Sequence, residues 1–567
     1  MSDRVSSPLQ PSHLAESWAH SPPLSYREST LRSVQRAREL VRAHGLTVED
    51  VAQLSPAFWG FHYSPLAPLD GAVATLDGAA ATLAAIQINL VAGTLSRFAE
   101  DDPSLLPLIR KLLCYETMGQ FCLTEVGHGL DAINLETAAT LLPDGTFELH
   151  TPHMGAAKYM PPTNPCGIPC VAIVFARLIV DGANHGIRPF LVPLNDGHNM
   201  HRGITARILP AREGSTPLNH CVTSFDRVKL PANALLGDIE EDTSRFTFFN
   251  SIWRVAVGTL SLTGLTLSCL AVSPFIVARY SQRRTVAGPG GSRIPVISFR
   301  TQHGPILTAL AQGFVLKEMW NKCTAIFAKA DLDPRLLHAL ATIFKVTTTQ
   351  HVQAANLALS ERCGAQGLFA YNQISELYEN VRGNSIAEGD TLVISIRLAS
   401  ELILERYELE ASTHPSSLLA RHEQDLLDEH KALLRRCGHH RSDEFNRLFL
   451  PSCENIVRAI GHRMAYDAAV DAGLDPTIVA VYLASAVKLD SAWYSEKAGF
   501  SRVSQALAED KALSAALPHL EEWLSKLGVE AHVTAPIVSD DRWNSFVGQL
   551  EARTHEPTYA EPLLSRL

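Results

Sequence analysis

Helical periodicity toward both ends of the chain, with a block of strand chemistry between, predicts a mainly α protein with a central β domain. Two observations carry this. Apolar residues recur at three- and four-residue steps from near Tyr26, and again almost to the end after Gly237. Between about Gly119 and Leu236 come short alternating or β-branched runs, separated by Gly, Pro, Asn and Asp clusters such as LPDG, VDGANHG and NDGHN. The 567 residues leave room for roughly three to five domains.

In chain order, the first 25 residues are rich in Ser and Pro and contain no apolar run, so neither a secretory signal nor an Arg-rich transit peptide is expected. Leu31, Val34, Ala37, Leu40 and Val41 then mark one face of a helix, and further helices are expected over 72–98 and 105–118. The β block contains the runs TFELHT, CVAIVFARLIV, IRPFLVPL, GITARIL and HCVTSFDRVKL. Helices follow over 246–279, 304–330, 334–362 and 391–406, interrupted by VAGPGGSR (Val286–Arg293), a polar loop. Charged amphipathic helices come after Ser412. The expected organisation is an N-terminal helical domain (1–117), a middle β domain (118–237), a helical bundle (238–411) and a second helical domain (412–567).

Composition narrows the function classes. The chain is 46% hydrophobic and 19% charged, and 49 basic against 59 acidic residues leave −10 with no long basic block. Nucleic acid is not an expected partner. Ten scattered cysteines do not form a disulfide framework and read as reduced intracellular thiols. The uncharged run Val255–Ala278 is long enough to span a bilayer, but over a third of it is Ser, Thr, Gly and Pro. It reads as a buried core helix and no membrane span is expected. Cys166 and Cys170, and Cys437 with His439 and His440, lack a second half at zinc-ligand spacing, and His422 and His430 fall on a solvated helical face, so no metal is expected. No P-loop or GxGxxG is present.

Three segments carry chemistry. In FCLTEVGHGLDAINLETAAT, Gly127 and Gly129 allow close backbone approach and Thr124 offers a hydroxyl, although a plain polar turn explains them equally. In CGAQG, Gly364 and Gly367 serve either as a helix C-cap or as exposed amides for a phosphate. In SIAEGDTLVISIRLASELI, Asp390 is an N-cap and Glu388 lies just before the helix. Glu388 is either an acid stabilising a helix N-terminus or a general base, and the second role requires desolvation to raise its pKa against the helix dipole.

These segments, with INLVAGTLSRF, LLPLIRKLLCYETMGQFCLTEVGHG, LETAAT, Lys158–Tyr159, FDRVKLPANALLG, ARYSQRR, CGAQG and AEGDT, resemble the acyl-CoA dehydrogenase and oxidase superfamily, peroxisomal-type acyl-CoA oxidases most closely. The likeness covers roughly residues 30–410 and continues more faintly to the end. It implies an acyl-CoA dehydrogenase-like fold with an extra C-terminal helical domain, FAD as cofactor, an acyl-CoA substrate oxidised to a trans-2-enoyl-CoA in fatty-acid β-oxidation, molecular oxygen reduced to hydrogen peroxide, and a homodimer sharing flavin sites. The position matching the family's base is Glu388. Thr124, Gly127 and Tyr159 match flavin-facing positions, Gln302, Gly364 and Gly367 match contacts to the neighbouring subunit's FAD, and Thr391 falls near the flavin.

The chain departs from the family at several points. Tyr159-Met160-Pro161-Pro162 replaces a glycine-bearing stretch, and proline removes N–H donors. RYSQRRTV is one residue short, which leaves Arg283 and Arg284 without a phosphate assignment, and STPLNHCVTSF lacks an Asp-Asn-Gly. The alternatives are an acyl-CoA dehydrogenase passing electrons to a flavoprotein and a non-catalytic CoA-ester-binding relative. The chain ends Ser565-Arg566-Leu567, a basic-residue variant of the S-K-L peroxisomal address, implying a peroxisomal import receptor as partner and the peroxisome as location.

Overall fold

Ser25 opens the first helix of the computed structural model, α1 (Tyr26–His44), through a capping box. Its hydroxyl accepts the Glu28 N–H, the Glu28 carboxylate accepts the Ser25 N–H, and Gly45 closes the helix in the left-handed conformation. The structure describes Trp18 and residues 24–63, 75–239, 245–329 and 333–553; most of the Ser/Pro-rich N-terminus and the Ser565–Leu567 tripeptide lie outside the described residues. Short helices α2 (Val48–Ala52) and α3 (Pro56–His62) follow. Asp77 then caps α4 (Gly78–Ala85) and pairs with Arg36 of α1 at 3.1 Å, tying the two helices together. α4 runs unbroken through a π-helical segment, Ile86–Ala92, into α5 (Gly93–Phe98). α6 spans Leu106–Leu113. The helix expected to reach residue 118 stops here, because Met118 starts the sheet.

Strands β1 (Met118–Cys122), β2 (Ala138–Leu141), β3 (Phe147–His150), β5 (Cys170–Val180), β6 (Ala183–Asn195) and β9 (Val228–Leu230) form one six-stranded sheet, while β4 (Lys158–Tyr159), β7 (Ile204–Ile208) and β8 (Cys221–Phe225) form a second of three. β5 is the spine. It pairs in parallel with β1 and β2 along one edge and antiparallel with β6 along the other. Its nearly continuous apolar run suits a strand covered on both faces. Asp181 and Gly182, both at positive φ, make the two-residue turn into β6.

The uncharged run forms α8 (Trp253–Leu267) and α9 (Cys269–Arg283), entered through α7 (Arg245–Ser251). Two helical stretches, Gly78–Phe98 and Trp253–Arg283, are long and apolar enough to cross a membrane, yet 83% of each apolar window is buried inside the protein. Both are core. VAGPGGSR is a hairpin rather than a plain loop: β10 (Thr285–Ala287) pairs antiparallel with β11 (Arg293–Pro295), and Gly290 and Gly291 turn it at positive φ. The bundle continues with α10 (Arg300–Phe327), α11 (Pro334–Arg362), α12 (Ile374–Ile386) and α13 (Thr391–Ile403), the last ending three residues earlier than its pattern predicts. α10 and α11 pack side by side in opposite directions.

Beyond them lie α14 (Leu418–Cys437), α15 (Asp443–Phe449), α16 (Cys453–Asp471), α17 (Pro476–Val487) and shorter helices to Gln549. His422 of α14 is not on a solvated face as expected. It is buried beside Trp493 and Tyr494, with Nε2 3.0 Å from Asp490, because α14 packs that side inward. Arg279–Glu521, Arg283–Asp540 and Arg300–Asp510 bridge the bundle to this last helical region, so Arg283 serves as a structural cation.

Close helix packing in the core depends on Gly264 of α8, where a Cβ would stand 2.5 Å from ring carbons of the fully buried Trp320. Gly264→Ala is expected to lower unfolding stability by about 1–3 kcal/mol through overpacking, measured by thermal or urea denaturation.

Candidate functional site

Four residues, Ala387–Asp390, connect α12 to α13, and their backbone is held at three consecutive carbonyls. Lys345, midway along α11, donates through Nζ to the Ala387 carbonyl and, at 2.7 Å, to the Gly389 carbonyl. Thr259 of α8 donates its hydroxyl to the Glu388 carbonyl at 2.7 Å. Asp390 caps α13 by accepting the Leu392 and Val393 amides, as its sequence position predicts. The clamp sustains a conformation the chain would otherwise avoid: Glu388 lies at φ +56° and Gly389 at φ +103°.

This twist turns the Glu388 carboxyl onto α8. Its Oε2 is buried without a hydrogen-bond partner and lies 1.3 Å from where a Cβ of Gly258 would be. Only glycine fits there. Asn89, in the π-helical segment, borders the same spot, its Nδ2 2.8 Å from that Cβ position and donating to the Arg254 carbonyl at 3.0 Å. A π-helical turn inserted into an α-helix is a frequent mark of a functional site. Burial pushes the Glu388 pKa upward, and the charge of Lys345 partly opposes it. Burial likewise lowers the Lys345 pKa, against the attraction of Glu388 and Asp390. The two side chains nevertheless form no ion pair within 4 Å; the ammonium bonds carbonyls and Oε2 lies against Gly258.

A second group is assembled by the sheets. Glu125 and Lys158 are fully buried and paired at 2.9 Å. Lys158 also donates to the Phe175 and Leu123 carbonyls, and Glu125 accepts the Glu136 and Thr137 amides. Burial works against the Glu125 charge, but Lys158 and the two amides outweigh it and hold the carboxyl below its ordinary pKa. Around this pair the Tyr159 N–H meets the Thr124 carbonyl at 2.9 Å and the Gly127 N–H meets the Gly155 carbonyl at 2.7 Å. Thr124 and Tyr159 are thus joined through the backbone, Gly127 lies in the same turn, and Tyr159 is 40% exposed. Just beyond, the Pro161 carbonyl accepts the Thr163 and Cys221 amides, so this proline turn is built into the second sheet.

A third group sits at one end of the bundle. Gln302 is in the first turn of α10, its Oε1 buried without a partner. At the adjoining end of α11, Gly364 adopts φ +58° with open space around its Cβ position, while a Cβ on Gly367 would stand 2.0 Å from the Ser360 carbonyl. Gly367 is thus required by packing and Gly364 by the turn. Seventeen residues of α11 separate Lys345 from Arg362, or ~25 Å at 1.5 Å per residue. Within one chain this group stands well apart from Glu388, whereas Thr391 opens α13 beside it.

Sequence reasoning passed over Asn89, Gly258, Thr259 and Lys345. One signal was readable: Lys345 is the only Asp, Glu, Lys or Arg between Arg335 and Glu361. Among the described residues, no three His, Cys, Asp or Glu side chains are grouped to hold a metal ion, and the ten cysteines are all free thiols.

Comparison with known proteins agrees with this geometry. Residues 258–403 match the family model of the acyl-CoA oxidase C-alpha1 domain. Human peroxisomal acyl-coenzyme A oxidase 3 is 26% identical over 327 residues, which is 53% of this chain and 47% of that protein, so the chain spans about half the length of the curated relatives it matches. The fold is similar to that of acyl-CoA oxidase1 from Yarrowia lipolytica, with TM-score 0.73 and 16% identity over 98% of this chain and 97% of the other. It is also similar to acyl-CoA oxidase-2 of Caenorhabditis elegans, a structure bound with FAD, ascaroside-CoA and ATP, with TM-score 0.69 and 16% identity over 98% of each chain.

Replacing one member of the buried Glu125–Lys158 pair leaves the other as an isolated charge. Glu125→Gln is expected to cost about 3–5 kcal/mol of stability, and the joint Glu125→Leu, Lys158→Met change markedly less. Urea unfolding of the three proteins side by side measures the difference.

Proposed function

We propose, from an acyl-CoA oxidase C-alpha1 domain at residues 258–403 and the acyl-CoA oxidase fold around it, that this protein is an FAD-dependent acyl-CoA oxidase with Glu388 as its base. The observation that carries the reading is Glu388 Oε2, buried without a hydrogen-bond partner in a half-buried residue, on a carboxyl whose pKa desolvation raises. The α-C–H of a thioester is a weak acid, and an ordinary exposed carboxylate is a poor base toward it. Desolvation makes Glu388 more basic, while the clamp of Lys345 and Thr259 fixes its direction. Glu388 takes the α-proton of the bound acyl-CoA, and proton and carboxylate together leave a neutral acid in a site that favours the neutral form.

Features of the chain fit a bound flavin. Gln302 holds an unpartnered buried oxygen, Gly364 leaves open space above a left-handed turn, and Tyr159 presents an exposed ring beside Thr124 and Gly127. FAD, when bound, supplies the acceptor for the β-hydride and delivers the electrons to oxygen, giving hydrogen peroxide and a trans-2-enoyl-CoA. Thr124, Gly127, Tyr159 and Thr391 are assigned to the flavin of the same chain. Gln302, Gly364 and Gly367, remote from Glu388 in one chain, are assigned to the flavin of a second copy. Leu368 and Phe369, 78% and 51% exposed beside that glycine turn, support a homodimer that covers them. The peroxisome is the proposed location, with Ser565, Arg566 and Leu567 as the address read by the import receptor. The domain boundaries at 117, 237 and 411 are proposed as the limits of its four folding units.

Glu388→Gln is expected to purify yellow with FAD bound and to lose about 10²–10⁴-fold in acyl-CoA-dependent peroxide formation. A near-normal rate removes Glu388 as base, and oxygen-independent turnover with an artificial acceptor alone replaces the oxidase by a dehydrogenase. Because the base must be ionised and its pKa is raised, wild-type kcat/KM is expected to climb with pH along a limb above the ordinary carboxylate range. Gly258→Ala, which puts a methyl where the carboxylate rests, is expected to lower kcat about 10²-fold with flavin retained, read by anaerobic flavin bleaching.

A further inference from the structure

The loop that carries Glu388 is not held by its own sequence. Its left-handed turn is sustained by a buried ammonium from another helix, and that ammonium has an unusual set of partners. Lys345 is 1% exposed, and both of its hydrogen bonds go to the main-chain carbonyls on either side of Glu388. Among the described residues, no carboxylate lies within ion-pair distance of it. Holding a loop by hydrogen bonds alone requires no charge, and a neutral amide would avoid the several kcal/mol typically lost on burying an ion. A cation in this place therefore acts beyond its two hydrogen bonds.

We propose that Lys345 is a positioning residue for the base: it locks the Ala387–Gly389 turn so that the Glu388 carboxyl faces Gly258, and its charge keeps that carboxyl ionisable although its Oε2 is buried. This rests on Glu388 being the base. The surroundings are sparse in charge. α11 contributes Lys345, and the N-cap of α13 contributes Asp390, which attracts Lys345. α8 presents Gly258 and Thr259, with Arg254 one turn earlier donating to the Val51 carbonyl, and the π-helical segment presents the neutral Asn89. Among the described residues, the charge of Lys345 is what opposes the rise in the Glu388 pKa.

The signs follow directly. A positive charge favours the carboxylate over the acid, so removing it while the site stays dry raises the Glu388 pKa further. A purely structural lysine would, when replaced, lower activity equally at every pH. A lysine that also tunes the base shifts the pH limb.

The test compares Lys345→Gln, which keeps a donor but no charge, with Lys345→Arg, which keeps charge in a different shape, both as the FAD-loaded enzyme. In Lys345→Gln, kcat is expected to fall about 10–100-fold at neutral pH with KM little changed. The acid limb of kcat/KM should move up by at least about one pH unit, with partial recovery in alkali. The infrared band of the protonated carboxyl, assigned by its absence in Glu388→Gln, should titrate at correspondingly higher pH in both apo and loaded protein. Lys345→Arg is expected to lower kcat while leaving limb and band at their wild-type pH, and it tests the clamp alone where Lys345→Gln does not fold. An unmoved band in folded Lys345→Gln, or wild-type kcat in Lys345→Arg, overturns the proposal while Glu388 stands. Retained turnover in Glu388→Gln instead overturns the assignment of the base on which it rests.

Discussion

A carboxyl in an apolar helical core stays put only if something else makes room for it and something else holds its backbone. In this protein the room is one missing Cβ, at Gly258, and the hold is a run of three carbonyls bound by Lys345 and Thr259. The other parts of the site follow from that constraint. α8 must present a glycine one turn after Arg254, α11 must project a lysine from an otherwise uncharged face, and the π-helical segment must bring Asn89 to the same spot. The loop then adopts two successive positive φ angles, one of them at a non-glycine residue.

The molecule contains two buried Glu–Lys associations with opposite physics. Glu125 and Lys158 touch, and the carboxylate is further satisfied by two amides, so both charges persist and the turn around Thr124, Gly127 and Tyr159 is welded in place. Glu388 and Lys345 act on each other without an ion pair, the ammonium bonding main-chain carbonyls and Oε2 left without a partner. The first arrangement spends its electrostatics on stability. The second leaves a carboxyl whose charge is disfavoured by desolvation. Residue type is the same in both; contact geometry separates the two environments.

The helices, the strand block and the Asp390 cap were legible because they depend on local periodicity and capping, which neighbours in sequence determine. α1 and α11 begin where the pattern puts them, and CVAIVFARLIV is β5 from first residue to last. The misses have equally local explanations. The stretch 105–118 continues an apolar pattern into a strand, and VAGPGGSR contains turn residues that close a hairpin as readily as a loop. His422 looked solvated on a charged helix because nothing in α14 itself announces that Asp490, Trp493 and Tyr494 will pack on that side.

Sequence alone determined which residue types were available for chemistry and where along the chain they stood: a glutamate ahead of a capped helix, two glycine turns, an aromatic after a lysine. Read locally, Glu388 stayed ambiguous between a helix-end acid and a base, because the two differ only in solvation. Tertiary structure supplied the surroundings, with Oε2 buried against Gly258. Those surroundings come from Gly258 of α8, Lys345 of α11 and Asn89 of the π-helical segment, each more than forty residues away from Glu388 along the chain. Distance in sequence carries no record of which backbone atoms will share a dry volume, and the character of a buried carboxyl depends on that volume.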